Sequence, residues 1–152
     1  MEREDLLVKQ LSLIAVGVAA LAIGCASALP AATSEKTVPS AQYLLGSEWE
    51  LRDLGGAPVL EDHRPTLSFF EPGRIAGNAS CNRFTGAADV GDGTIKASPL
   101  AVTKMECIPE VDAQERAYLA ALQNAFRMEV VGGELVIHCE SLEQPLKFRR
   151  TR

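Results

Sequence analysis

The segment Gly77-Asn78-Ala79-Ser80-Cys81-Asn82-Arg83-Phe84-Thr85-Gly86 lies between two stretches that alternate apolar and polar residues, as β-strands do. One strand is predicted to begin over residues 74–77, and the next to cover residues 84–90. We interpret Asn82 and Gly86 as turn residues, because Asn and Gly tolerate a positive φ better than other residues do. The segment therefore predicts a turn between two strands of a sheet.

The same alternation marks strands on both sides of this segment. Trp49 and Leu51 are predicted to point inward from one strand, and Leu67 and Phe69 from another. The sequence Gly91-Asp92-Gly93 is typical of a hairpin turn. Towards the C-terminus, alternating apolar residues predict the strands that end the chain: Phe126, Met128, Val130, Leu135, Ile137, Cys139, Leu146 and Phe148.

One stretch follows helical spacing instead. Residues 111–126 are good helix formers, and Pro109 just before them is typical of a helix entry. Their large apolar side chains fall on one side of such a helix: Val111, Tyr118, Leu119, Leu122 and Phe126. Together these segments predict a single small α+β domain with a mostly antiparallel sheet and one α-helix.

The N-terminus has the layout of a signal peptide. An apolar run from Leu11 to Gly24 is about 14 residues long, whereas a membrane-spanning helix needs about 20. Arg3 and Lys9 precede the run, and small residues follow it. The run ends at Cys25 in a pattern similar to a bacterial lipobox, so residues 1–25 are predicted to be a signal peptide and Cys25 to be lipidated.

This processing predicts a lipoprotein of the bacterial cell envelope that is anchored in the membrane and faces the periplasm. Cleavage after Ala28 would instead release a soluble secreted protein, and an uncleaved anchor is a third alternative. Residues 26–42 contain few large apolar side chains, which predicts a flexible tether. The folded domain is then expected over residues 43–150.

Charge argues against a nucleic-acid partner. The formal net charge is −5, and the charged residues are interspersed without a basic stripe. The one basic cluster, near the C-terminus, is interpreted as a solvated strand end: Lys147, Arg149, Arg150 and Arg152.

Several motifs, in order, resemble those of the META/HslJ family over residues 43–150. Residues 77–86 resemble its Gly-x-x-Gly-Cys-Asn-x-x-x-Gly signature, and residues 103–107 its Thr-x-Met-Ala-Cys motif. The positions that carry these motifs and the matching helical Glu are Gly77, Asn82, Gly86, Thr103, Met105 and Glu115. Three positions depart from the family pattern: Ser80 replaces a Gly, Ala88 stands where an aromatic residue is common, and Glu106 replaces an Ala.

The resemblance implies a compact antiparallel sheet curled around or against the helix. It also implies an envelope location and an association with stress or antibiotic tolerance. No enzymatic activity is implied. The paired motifs further suggest a disulfide between Cys81 and Cys107, with two reduced, buried cysteines as the alternative. Cys139 is then expected to be a buried free thiol.

Two chemical alternatives are not favoured by the sequence. Zinc could draw on Cys81, Cys107, Cys139 and His138, but the chain has no Cys-x-x-Cys pair, and His138 and Cys139 point to opposite faces of one strand. A thiol hydrolase would need Cys81 to act with His63 or His138, yet no helix follows Cys81 to lower its pKa. We therefore expect no enzyme, no metal and no cofactor.

Two functional hypotheses remain. The first is a binding module whose groove receives an apolar small molecule, a lipid or an envelope protein. The second is a structural stress accessory without a ligand pocket, which a filled sheet interior would favour.

Overall fold

A computed structural model of the chain describes residues 34–152. The predicted signal peptide, the predicted lipidation site Cys25 and the first part of the predicted tether lie outside the described residues. Within residues 34–152, no helix is both long enough and apolar enough to cross a membrane.

The domain is an antiparallel sheet of short strands with one main helix. The strands are β1 (Lys36–Thr37), β2 (Glu48–Leu54), β3 (Ala57–Pro58), β4 (Thr66–Glu71), β5 (Arg74–Asn78), β6 (Arg83–Val90), β7 (Ile95–Ala97), β8 (Ala101–Val102), β9 (Ala125–Val131), β10 (Glu134–Cys139) and β11 (Leu146–Arg150). The helices are α1 (Ala41–Leu44) and α2 (Pro109–Gln123), and a 3-10 turn covers Glu61–His63. The predicted α+β class is correct in outline, although strands predominate.

The sheet curls until β7, at one end of the strand order, approaches β9, which lies next to the other end. Its strand order is β1-β9-β10-β11-β2-β4-β5-β6-β7, with β3 beside β2 and β8 beside β6. Thr94, just before β7, forms a bridge with Arg127 of β9. The N–H of Met128 also donates to the carbonyl of Gly93 at 2.8 Å. These contacts bring opposite ends of the strand order together as a half-barrel.

The inner face of the sheet is packed against α2. Trp49 and Leu51 on β2 are fully buried, as the alternation predicts, and Tyr118 of α2 is fully buried as well. The Tyr118 ring makes edge contacts with Phe84 and Phe148, with centroids 6.0 and 6.3 Å apart. The interior of the curled sheet is therefore filled by side chains of the helix and the strands.

The helix ends earlier than the sequence predicts. It stops at Gln123, and Phe126 lies in β9 with 47% of its surface exposed. Phe126 is exposed because the pairing of β9 with β10 is irregular at this point. Arg127 faces His138, and Ala125 faces the next residue, Cys139, so Phe126 has no partner. Phe126 is the extra residue of this bulge and turns outward. Its predicted place on the apolar side of the helix is wrong.

Residues 26–42 are predicted to be a flexible tether, but the last part of this stretch is folded. Lys36 and Thr37 form β1 and pair with Val131 and Val130 of β9. The side chain of Ser40 caps α1 by accepting the N–H of Tyr43. An edge strand offers unpaired backbone groups, and β1 satisfies some of those on β9. The folded domain therefore begins before residue 43.

Candidate functional site

Cys81 and Cys107 form the disulfide that the paired motifs suggest, with their Cα atoms 6.3 Å apart. The bond joins the segment before β6 to the loop before α2. It closes a sequence separation of 26 residues, for which chain-entropy arguments give a stabilisation of about 3 kcal/mol. Cys139 is a buried free thiol, as predicted, and burial raises its pKa to about 12. The thiol is therefore protonated and poorly reactive.

Asn82 organises the loop on the other side of the disulfide. Its Oδ1 accepts the hydroxyl of Thr103 at 2.9 Å and the N–H of Met105 at 2.7 Å. Its Nδ2 donates to the carbonyl of Met105 at 3.5 Å. Asn82 is only 5% exposed, so its side of these bonds is shielded from water. The amide side chain thus fixes the main chain of the 103–107 loop.

Glu115 of α2 completes this junction. Its Oε2 accepts the N–H of Asn82 at 2.6 Å and that of Cys81 at 3.2 Å, and its Oε1 accepts Asn82 Nδ2 at 2.8 Å. The residue is 6% exposed, and its buried carboxylate is satisfied by these N–H donors. The structure therefore brings together Asn82, Thr103, Met105 and Glu115 around the disulfide.

Both glycines of the motif lie in strands, as predicted for Gly77 but not for Gly86. A Cβ on Gly77 would overlap the carbonyl oxygen of Thr66, so this position needs glycine for a close approach of strands. Gly86 lies inside β6, where its space is limited by the side chain of Leu100. Its interpretation as a turn residue is wrong. Asn82 is likewise not in a positive-φ conformation.

The positive φ falls on Ser80 instead, at 122°. This is the position where the family pattern has glycine, and a side chain there is strained. Ser80 is held by two contacts, since its N–H donates to Asn78 Oδ1 at 2.7 Å and its Oγ accepts Gln114 Nε2 at 2.8 Å. The positive φ of this turn therefore belongs to Ser80, whereas Asn82 and Gly86 were predicted to carry it.

Gln114 is a member of the site that the sequence analysis missed. Its Oε1 accepts the N–H of Leu60 at 2.8 Å, and its Nε2 also donates to the carbonyl of His63 at 2.8 Å. Gln114 lies on the buried side of α2, three residues after Val111. The helical spacing from Val111 could have indicated that Gln114 is buried. Gln114 ties the loop before β4 to the Ser80 turn.

The residues of the metal and hydrolase alternatives do not converge. Cys81 and Cys107 are bonded to each other, and Cys139 faces the core while His138 faces outward. Within the part of the chain that the structure describes, no group of three or more His, Cys, Asp or Glu side chains could hold a metal ion. Cys81 is thus not available as a thiolate nucleophile.

His138 instead takes part in a charged cluster on the outer face. Its Nε2 lies 3.1 Å from Glu129 Oε1, and Lys36 Nζ lies 2.6 Å from Glu129 Oε2. The hydrogen bond from Lys36 lowers the pKa of Glu129, partly opposed by burial and reinforced by His138. This cluster secures β1 against β9.

An apolar cavity of about 320 Å³ lies beside α1, and we name it the α1 cavity. Phe69 and Ala88 are 4% and 2% exposed and form its buried part, whereas Leu45 is 38% exposed. The cavity therefore leads from the surface to the edge of the core. Its lining residues are Ala41, Gln42, Leu45, Phe69, Glu71, Pro72, Gly73, Arg74, Ala88, Asp89 and Val90.

Comparison with known proteins shows the family to which this domain belongs. The model of the META domain family matches residues 42–152, which is most of the chain. The chain therefore belongs to the META domain family, as its motifs predict.

A particular relative and two solved structures are similar to this chain. The heat shock protein HslJ of Escherichia coli (strain K12) is 27% identical over 124 residues, covering 80% of this chain and 84% of HslJ. An NMR structure from Burkholderia xenovorans has a TM-score of 0.62 at 22% identity, over 82% of this chain and 97% of that one. Another NMR structure has a TM-score of 0.60 at 25% identity, over 73% of this chain and 94% of that one.

Proposed function

We propose that this protein is a non-catalytic binding module of the bacterial cell envelope, tethered by a lipidated Cys25, that receives an apolar group in the α1 cavity. The group could belong to a small molecule, a lipid or an envelope protein, which share the same apolar chemistry. The observation that carries the proposal is the open, largely apolar cavity whose buried end is Ala88.

The size of the cavity limits what it can receive. Small-molecule pockets usually span about 300 to 1,000 Å³. At about 320 Å³ the α1 cavity is at the lower end of this range, so one ring or a short stretch of acyl chain would fill it. Ala88 is important here, because any larger side chain would extend into this space.

The envelope location is supported by the lipobox-like sequence ending at Cys25 and by the disulfide. Disulfides persist in oxidising compartments and are rare in the bacterial cytosol. A role in stress tolerance is supported only by the family and by the name of the relative HslJ as a heat shock protein. The proposed role is to bind apolar partners at the membrane surface under stress.

A pair of alanine variants tests the cavity. Ala88 is buried at the cavity, whereas its neighbour Ala87 is exposed on the other face of β6. Ala88→Phe should fill the cavity, and Ala87→Phe adds the same bulk outside it. The measurement is fluorescence titration with N-phenyl-1-naphthylamine, a neutral apolar dye. Circular dichroism checks that each variant is folded, and Ala88→Leu serves if the phenyl group prevents folding.

We expect the unmodified protein and Ala87→Phe to bind the dye in a saturable manner, and the filled variant to bind it roughly tenfold more weakly or not at all. Equal binding by both phenylalanine variants would place the dye elsewhere and reject the cavity as the site. An absence of saturable binding by the unmodified protein would reject the binding function.

That last outcome would favour the second candidate, a structural accessory without a ligand. The filled interior of the sheet supports this alternative, since large side chains there are fully buried. The motif residues around the disulfide also serve the fold, through bonds such as Glu115 to Asn82.

A further inference from the structure

Met105 combines a fixed main chain with a free side chain. Asn82 holds both its N–H, at 2.7 Å, and its carbonyl, at 3.5 Å. The disulfide holds the loop two residues further on, at Cys107. Met105 itself is 60% exposed. The motif therefore presents the Met105 thioether to solvent without using it in the core.

The other described methionine is its opposite. Met128 lies in β9 and is 1% exposed. Its main chain is also fixed, because its N–H donates to Gly93. The two residues share the same chemistry and differ mainly in access to solvent, so Met128 is an internal control for Met105.

We propose that Met105 is an oxidation site, at which hydrogen peroxide converts the thioether to a sulfoxide while the fold and the disulfide stay intact. A lone pair on sulfur attacks one peroxide oxygen, the O–O bond breaks and a sulfur–oxygen bond forms. A proton passes to the departing oxygen, which leaves as water. The sulfur is oxidised by two electrons, and the peroxide is reduced by two.

We expect the fold to tolerate this change, because Met105 is exposed and does not belong to the hydrophobic core cluster. The bonds that hold the loop use its main chain, and the sulfoxide oxygen would stand in water. The surface would nevertheless change. Oxidation would make the Met105 side chain polar on a loop that also exposes Lys104, Glu106 and Ile108.

Peptide mapping by mass spectrometry tests the proposal. The folded, full-length protein is treated with hydrogen peroxide, and oxygen uptake is followed separately at each methionine. We expect Met105 to be oxidised roughly tenfold faster than Met128 or more, because access to the sulfur controls the reaction. In denaturant the two rates should become similar. Comparable rates in the folded protein would overturn the proposal.

Two variants separate the site from its surroundings. In Met128→Leu the uptake at Met105 should be unchanged, and its oxidised form should unfold at the same temperature as the untreated protein. In Met105→Leu, uptake in the folded domain should disappear over the same period. A clear fall in the unfolding temperature on oxidation of Met128→Leu would contradict the proposal, since Met105 would then be part of the packing.

Discussion

Glu115 and Asn82 are joined by a 2.6 Å hydrogen bond, in which the buried carboxylate of α2 accepts the main-chain N–H at the start of β6. A second bond, from Asn82 Nδ2 to Glu115 Oε1, closes the pair. Asn82 in turn holds Met105, so one carboxylate connects the helix, the strand and the disulfide loop. The stability of this region should therefore depend on a few polar atoms.

Glu115→Gln tests this dependence. The amide keeps the shape of the side chain but replaces one acceptor oxygen with a donor, which leaves an N–H of Asn82 or Cys81 without its partner. A buried unsatisfied group costs about 1–3 kcal/mol of unfolding free energy. Urea unfolding measures the change. The matched control is Glu110→Gln in the exposed first turn of α2, which should lose less than about 1 kcal/mol. Equal losses in both variants would contradict the role of Glu115.

Gly77→Ala should be strongly destabilising because the added Cβ overlaps the carbonyl oxygen of Thr66, a backbone atom that cannot move alone. We expect a loss of about 3 kcal/mol or more. Gly86→Ala is the comparison, since its Cβ would meet only the end of the Leu100 side chain, 2.7 Å away. That variant should stay within about 1 kcal/mol of the original. Thermal unfolding distinguishes them, and a milder effect at Gly77 than at Gly86 would refute this explanation.

Ser80 offers a test of backbone strain. At a φ of 122°, alanine carries the same steric penalty as serine, whereas glycine does not. Both Ser80→Ala and Ser80→Gly lose the hydrogen bond from Gln114, so the difference between them isolates the backbone. We expect the glycine variant to be more stable than the alanine variant by about 1–2 kcal/mol in denaturant unfolding. A glycine variant no more stable than the alanine variant would show that the strain is absent.

The Glu129 cluster predicts a contribution to stability that depends on pH. The pKa of Glu129 is lowered in the folded protein, chiefly by the hydrogen bond from Lys36. Its contribution is therefore complete above the unfolded-state pKa of about 4.3 and is lost as pH falls through the folded value. Glu129→Gln should lower the free energy of unfolding at neutral pH. On acidification, this variant should lose less of its unfolding free energy than the original protein does. Unfolding at pH 7 and near pH 3 measures both effects, and Lys36→Met should reproduce them in part.

If Glu129→Gln lost as much stability on acidification as the original protein, the cluster would not carry this contribution. Lys104 is exposed on the disulfide loop and is not part of this cluster, so Lys104→Met controls for a general change in surface charge.

Most strands could be predicted because one face of the sheet packs on α2. This one-sided burial produces the alternation seen at Trp49 and Leu51. Strand β1 could not be predicted, since its Lys36 and Thr37 are both exposed and are ordered by pairing with β9. The position of Phe126 depends on a bulge that arises only when β9 meets β10. Both features depend on contacts between segments that are distant in the sequence, and the local sequence pattern does not show such contacts.

The candidate site was likewise predictable only in part. The disulfide and the motif residues followed from a resemblance, but the physical reason for each appears only in three dimensions. Gly77 is required by Thr66, which is distant in sequence, and the positive φ falls on Ser80, which is not a typical residue for it. The departure at Ala88 was visible in the sequence. The cavity that Ala88 lines became visible only in the structure, where residues of α1, β4 and β6 form its wall.

The most direct test of the proposed binding function is an NMR titration of the methyl-labelled protein with N-phenyl-1-naphthylamine. Occupation of the α1 cavity should shift the methyl signals of Leu45, Ala88 and Val90 together and in a saturable way. The methyl signals of Met105 and Ile108, exposed on the disulfide loop, should stay unchanged. Shifts confined to Met105 and Ile108, or no saturable shift at the cavity, would contradict the account.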